Sequence, residues 1–142
     1  MNKRGPIVVV EDDADDQQIL ADIFEELNCS NEVVFFSDGK SAFEYFKRED
    51  VYPFIILSDI NMPGIDGFEL RNKVLTDVHV VNKCVPYLFM STAVNATVVK
   101  RAYTMSVQGF FMKPSVYSEL LQTVRVILDY WQVGYSPEVA GN

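Results

Sequence analysis

Cysteine, histidine and basic residues are scarce in this chain. Its 142 residues include two cysteines, Cys29 and Cys84, and a single histidine, His79. The cysteines lie far apart and form no Cys-x-x-Cys pair, which argues against both a zinc site and a disulfide framework. Two reduced thiols are expected. Lysine and arginine number 12 against 20 acids, giving a net charge of −8. That balance argues against general nucleic-acid binding, which needs a basic surface. No apolar run approaches the length that crosses a bilayer. The start, Met1-Asn2-Lys3-Arg4, is basic, but the apolar run after it covers only Ile7 to Val10. That is too short for a signal peptide, so a cytoplasmic protein without membrane contact is expected.

What is present fits one compact domain with a real core: 49% hydrophobic and 23% charged residues. Ile7 to Val10 is a β-branched run, as expected of a strand buried on both faces. Ile19, Leu20, Ile23, Phe24 and Leu27 then recur at helical spacing. Val33 to Phe36 reads as a second strand, followed by a helix holding Ala42, Phe43 and Phe46. Phe54 to Leu57 reads as a third strand, and a helix begins near Gly67. Tyr87 to Met90 reads as a fourth strand, with a helix from about Asn95 to Met105. Phe110 to Met112 reads as a short fifth strand. The last helix is expected to start at Ser115 as N-cap, with Val116, Leu120, Val124, Ile127, Leu128 and Trp131 as its apolar stripe. Residues 1–132 are read as the domain and 133–142 as a flexible tail rich in turn residues.

Five short strands alternating with five helices imply a parallel sheet covered on both faces. Ligands of such sheets bind at the carboxyl ends of the strands, where strand order reverses. Glu11 and Asp12 follow the first strand and Asp59 the third. Ser91 and Thr92 follow the fourth, and Lys113 follows the fifth. Carboxylates gathered there repel: at about 4 Å and a near-surface dielectric, each contact costs several kcal/mol. A bound cation relieves this, and an all-oxygen donor set suits Mg²⁺. Lys113 adds a point charge and Ser91 a hydroxyl. Around a carboxylate, such a set stabilises a transferring phosphoryl group, with Asp59 as nucleophile.

In order along the chain come "VVVEDD", "IILSDINMPGIDG", "PYLFMSTA" and "GFFMKP". With these motifs the sequence resembles the receiver domain of response regulators, the chemotaxis-type phosphoacceptor module of two-component signalling, from Ile7 to about Trp131. The resemblance implies a flavodoxin-like (βα)5 α/β fold, doubly wound, with strand order 2-1-3-4-5. It implies phosphorylation at Asp59 and a metal held by Asp12, Glu11, Asp59 and the backbone carbonyl of Asn61, with Mn²⁺ able to replace Mg²⁺. Ser91 would be the switch hydroxyl, counted from Pro86, with Thr92 the competing choice. Phe110 would be the rotating aromatic, although it lacks the hydroxyl of a tyrosine. Lys113 would pair with phosphoryl oxygens, and family members often place a cis bond between such a lysine and its proline. The implied partners are a sensor histidine kinase or histidine phosphotransfer protein, then an effector protein or a second copy. The segment Thr76 to Cys84 is somewhat long, as in receivers of bacterial phytochrome systems.

Plainer readings stand beside these. Asp59 alone would pass for a turn aspartate before Pro-Gly. Asp13, Asp15 and Asp16 are read as acids of a helix N-terminus, and His79 as an exposed loop residue. Tyr103, Phe110, Tyr117 and Tyr130 could form an aromatic partner face. A haloacid-dehalogenase-like phosphatase also uses an aspartate after a strand, but expects a second acid where Asn61 stands. A flavodoxin-like binder would need a Ser/Thr-Gly-rich loop after the first strand, which is missing. A degenerate receiver acting as a docking module is opposed by the full set of acids, hydroxyl and lysine. The expected protein is therefore a signalling phosphoacceptor and not an enzyme in the ordinary sense.

Overall fold

The computed structural model of the protein describes residues 1–135. Its strands are β1 (Ile7–Val10), β2 (Val33–Phe36), β3 (Ile55–Ser58), β4 (Tyr87–Ser91) and β5 (Gly109–Met112). They form one parallel sheet in the order β2-β1-β3-β4-β5. The helices are α1 (Ala14–Glu26), α2 (Gly39–Phe46), α3 (Gly67–Thr76), α4 (Val78–Val81), α5 (Ala96–Thr104) and α6 (Tyr117–Val133). The last of these runs one residue past the expected domain boundary at 132. Most of the expected tail, 136–142, lies outside the described residues.

The two-residue period of a strand sorts the core into two layers. Ile7, Val9, Ile55, Leu57, Leu88 and Met90 pack with Leu20, Ile23 and Phe24 of α1 and Leu120, Val124 and Ile127 of α6. Val8, Val10, Ile56, Tyr87 and Phe89 pack on the opposite face with Phe46, Phe68, Leu70, Val74 and Ala102. Each fully buried side chain of this kind contributes about 1.5 to 3 kcal/mol. The central strands β1, β3 and β4 are buried throughout, whereas every residue of the edge strand β2 is half-buried.

Short polar side chains start most of the helices. Asp13, Asp38, Asp66, Asp77 and Asn95 each accept a backbone N–H of the first turn. Four expectations are corrected here. The segment between β3 and β4 holds two helices, because Asp77 leaves the helical conformation and caps a further turn, α4. His79 therefore lies on that exposed turn and not in a loop. The N-cap of α6 is Val116, without a side-chain hydrogen bond, and not Ser115. Ile19 and Val116, expected on apolar stripes, are 37% and 50% exposed.

Candidate functional site

The strand order reverses between β1 and β3, and the candidate residues gather at the carboxyl ends of those strands and their neighbours. Backbone bonds carry the ladder past the strand ends. Glu11 N–H donates to Phe36 C=O, Asp59 N–H to Val10 C=O and Lys113 N–H to Ser91 C=O, each at 2.9 Å. Glu11 continues the parity of Ile7 and Val9, Asp59 that of Ile55 and Leu57, and Lys113 that of Phe111. All three are thereby aimed to the α1/α6 side. Ser91 and Phe110 share the opposite parity, with Phe89.

Glu11, Asp12 and Asp59 each place a carboxylate oxygen within 4.8 Å of the others. Glu11 is buried at 2% exposure, Asp59 is half-buried and Asp12 is exposed. The set opens to solvent on one side and is all oxygen, which fits a hard divalent cation that retains waters. Lys113 Nζ donates to Glu11 Oε1, lies 3.4 Å from Asp16 Oδ2 and 3.9 Å from Asp59 Oδ2. Burial pushes the Glu11 carboxyl up to about 7, against the opposing pull of Lys113. Burial alone would lower the Lys113 ammonium, but Glu11, Asp59 and Asp16 outweigh it and hold the group above its ordinary value.

The Asp59 carboxylate accepts the N–H of Ile60 at 2.7 Å through Oδ1. The turn behind it is tight: a Cβ at Gly67 would come 2.3 Å from Asp59 O and 2.8 Å from Ile60 Cα. Glycine is required there because backbone passes where a side chain would stand. Asn61 lies exposed two residues past Asp59. Ser91 is the last residue of β4 and is 1% exposed; its Oγ accepts Ala93 N–H at 3.0 Å and does not meet Asp59. Thr92 lies beyond the strand and is exposed. Phe110 is half-buried, with its ring 6.2 Å from that of Phe89. No cis peptide bond occurs among the described residues, Lys113–Pro114 included.

Some contributors escaped the sequence reading. Asp16, taken only as a helix-start acid, shares Lys113 with the site. Its place in the first turn of α1, just after Glu11 and Asp12, was the available signal. Gln17 Nε2 donates to Glu11 O and Ser37 Oγ, tying the ends of β1 and β2 together.

Carboxylates grouped so that they could hold a divalent cation, beside a lysine and a strand-end hydroxyl at the switch point of a doubly wound sheet, fit a phosphoryl-accepting signalling domain. The profile of the response regulator receiver domain matches residues 7–125, and the chain belongs to that family. It is a phosphoacceptor response regulator, of the class whose members are generally non-catalytic signalling modules working with histidine kinases and effectors. The phosphorylated cyanobacterial phytochrome response regulator RcpA is similar at 26% identity, covering 94% of this chain and 97% of that one, with a TM-score of 0.83. A response regulator of red light signalling in R. palustris matches at 26% identity over 95% and 99%, with a TM-score of 0.84. A probable methanogenesis regulatory protein, FilR2 of Methanothrix harundinacea, is 26% identical over 88% of this chain and 82% of its own length. The manganese-bound form of the response regulator Rcp1, 22% identical with a TM-score of 0.81, shares the fold. No helix among the described residues is long and apolar enough to cross a membrane.

Proposed function

We propose that Asp59 is the phosphoacceptor, and that it receives its phosphoryl group from a phosphohistidine on a sensor histidine kinase or phosphotransfer protein. A carboxylate oxygen of Asp59 attacks phosphorus, the P–N bond breaks, and the imidazole leaves with the bonding pair and takes up a proton. The observation that carries this reading is the convergence of three carboxylates within 4.8 Å with the Lys113 ammonium 3.9 Å from Asp59. Glu11, Asp12, Asp59 and the Asn61 carbonyl would hold Mg²⁺, which when bound supplies charge neutralisation for the incoming phosphoryl oxygens. Mn²⁺ fits the same donors.

Lys113 already stands beside Asp59 and serves as the cationic partner of the new phosphoryl group. Ser91 is the switch hydroxyl in this reading; its place at the end of β4, with Thr92 outside the strand, supports that choice. Adding roughly −2 charge with strong acceptor oxygens draws Ser91 from Ala93 toward Asp59. Phe110, on the same face as Ser91, moves with it, and the surface of α5, β5 and α6 changes. The output is contact with an effector protein or a second copy, in the cytoplasm, without direct nucleic-acid or membrane binding.

The test is incubation with acetyl phosphate or phosphoramidate and Mg²⁺, read by intact mass. One added phosphoryl group is expected, lost in Asp59→Asn and prevented by EDTA. A label that survives Asp59→Asn, or forms equally in EDTA, overturns the assignment.

A further inference from the structure

Arg101, Phe68, Phe89 and Phe110 form a continuous chain of contacts from the surface of α5 to β5. The Arg101 guanidinium lies 4.0 Å from the centroid of the Phe68 ring. Phe68 meets Phe89 edge-on at 5.3 Å, and Phe89 meets Phe110 at 6.2 Å with a 62° tilt. Phe89 is wholly buried and Phe68 is 4% exposed. Phe89 also lies beside Gly67, behind Asp59: a Cβ there would stand 3.0 Å from Phe89 Cε1 and 2.3 Å from Asp59 O. One ring thus touches the neighbourhood of Asp59, the helix α3 and the aromatic Phe110. Phe110 meets Phe89 and Phe89 meets Phe68, so a shift of one ring changes the packing of the next.

The outer end of the stack matters because α5 is lightly held. Ala102 is the one fully buried residue among its nine. Elements with so little buried surface are the ones that shift at low cost. Arg101 is exposed and has no ion-pair partner within 4.0 Å among the described residues. Its contact with Phe68 is thus a clasp between α5 and α3.

We infer that Arg101 is a positioning residue whose clasp on Phe68 sets, through Phe89, how readily Phe110 and Ser91 leave the arrangement seen here. The effect on phosphoryl uptake rests on Asp59 being the phosphoacceptor; the effect on the Phe110 ring does not. Releasing the clasp raises the population in which Ser91 turns toward Asp59. A surface cation–π contact corresponds to a shift of about two- to five-fold in such an equilibrium.

The experiment compares wild type, Arg101→Gln, Arg101→Lys, Phe68→Leu and the Arg101→Gln/Phe68→Leu double variant. Uptake from phosphoramidate with Mg²⁺ is timed, and fluorine NMR follows a fluorophenylalanine at position 110. Thermal unfolding checks that each variant is folded. Arg101→Gln and Phe68→Leu are each expected to speed uptake about two- to five-fold and to shift the fluorine signal of Phe110. The double variant should match Phe68→Leu alone, since without the ring Arg101 has nothing left to clasp. Arg101→Lys keeps the cation and should stay near wild type. Uptake and signal unchanged in Arg101→Gln, or additive effects in the double variant, overturn the inference. Should wild type take no label at all, the phosphoacceptor reading fails, and the Phe110 signal alone decides on the clasp. Arg101→Gln changes a surface residue, so the test stands even if Phe68→Leu does not fold.

Discussion

Lys113 Nζ stands 3.9 Å from Asp59 Oδ2 yet gives its closest hydrogen bond to Glu11. One ammonium therefore serves two carboxylates of the metal-type cluster, and a third, Asp16, lies 3.4 Å away. Replacing Lys113 by Met should act in opposite directions on two measurable quantities. Without the ammonium, Glu11 is released and a divalent cation meets less repulsion, so Mg²⁺ should bind about three- to ten-fold more tightly by fluorescence or calorimetric titration. Phosphoryl uptake at saturating Mg²⁺ should nevertheless fall about a hundred-fold, the usual loss when one charge-stabilising donor is removed. Weaker Mg²⁺ binding together with normal uptake would place Lys113 outside the chemistry.

Gly67 should tolerate no side chain. Its missing Cβ leaves room for Asp59 O and Ile60 Cα, both backbone atoms that cannot turn aside. Gly67→Ala is expected to destabilise by about 2 to 3 kcal/mol through forced backbone movement. Because the displaced backbone belongs to Asp59, the folded fraction should also lose phosphoryl uptake. Urea unfolding and mass-detected labelling check the two effects separately.

The carboxyl-end rule made much of the site legible before any coordinates. Glu11, Asp59 and Lys113 each follow a recognisable apolar strand, and a parallel sheet brings such positions to one rim. Strand parity then explains why Ser91 and Phe110 face away from Glu11 and Lys113, a relation that needs the register and not just the strands. The fourth helix was not legible, because it depends on Asp77 adopting an extended conformation within an otherwise helical run. The buried cations were also missed. Arg71 donates to the carbonyls of Met105 and Ser106 at the end of α5. Those partners lie more than thirty residues away, as the separations of 34 and 35 show, and no local spacing announces them.

Asp38 supplies a pH-dependent contribution that is separable from the site. Its Oδ1 accepts Ser41 N–H at 2.7 Å and its Oδ2 accepts Ser41 Oγ at 3.0 Å. The Ser41 backbone bond above all holds its carboxyl below the ordinary 3.8. A depressed carboxylate stabilises the fold above its unfolded pKa, and that stability is lost as pH falls through the lower folded value. Asp38→Ala should therefore cost about 0.5 to 2 kcal/mol at neutral pH, as for other N-caps. The difference from wild type should shrink on acidification below the ordinary carboxylate value. Asp38→Asn keeps an acceptor and should lose little at either pH. Urea titrations across that range check the trend, and a gap between wild type and Ala that is constant with pH would rule it out.

Lys83 offers the sharpest separation of stability from signalling. It is 9% exposed, and its ammonium donates to Phe46 O at 2.7 Å, Arg48 O at 2.8 Å and Val51 O at 2.7 Å. Phe46 is the last residue of α2, so the lysine satisfies a carbonyl that the helix leaves unpaired, and two more in the loop toward β3. Burial holds the ammonium below its usual range, and nearby acids, Asp50 first, offset part of that. Lys83→Met keeps the length of the side chain but leaves the three carbonyls without this donor. Loss of charge-assisted bonds of this kind should cost about 2 to 4 kcal/mol. The site lies at the opposite end of the sheet, since Lys83 precedes β4 whereas Ser91 ends it. Phosphoryl uptake by the folded protein should therefore match wild type, so that chemical unfolding moves and labelling kinetics do not. If uptake fell in step with stability, the two ends of the sheet would be coupled and α2 would belong to the switching element.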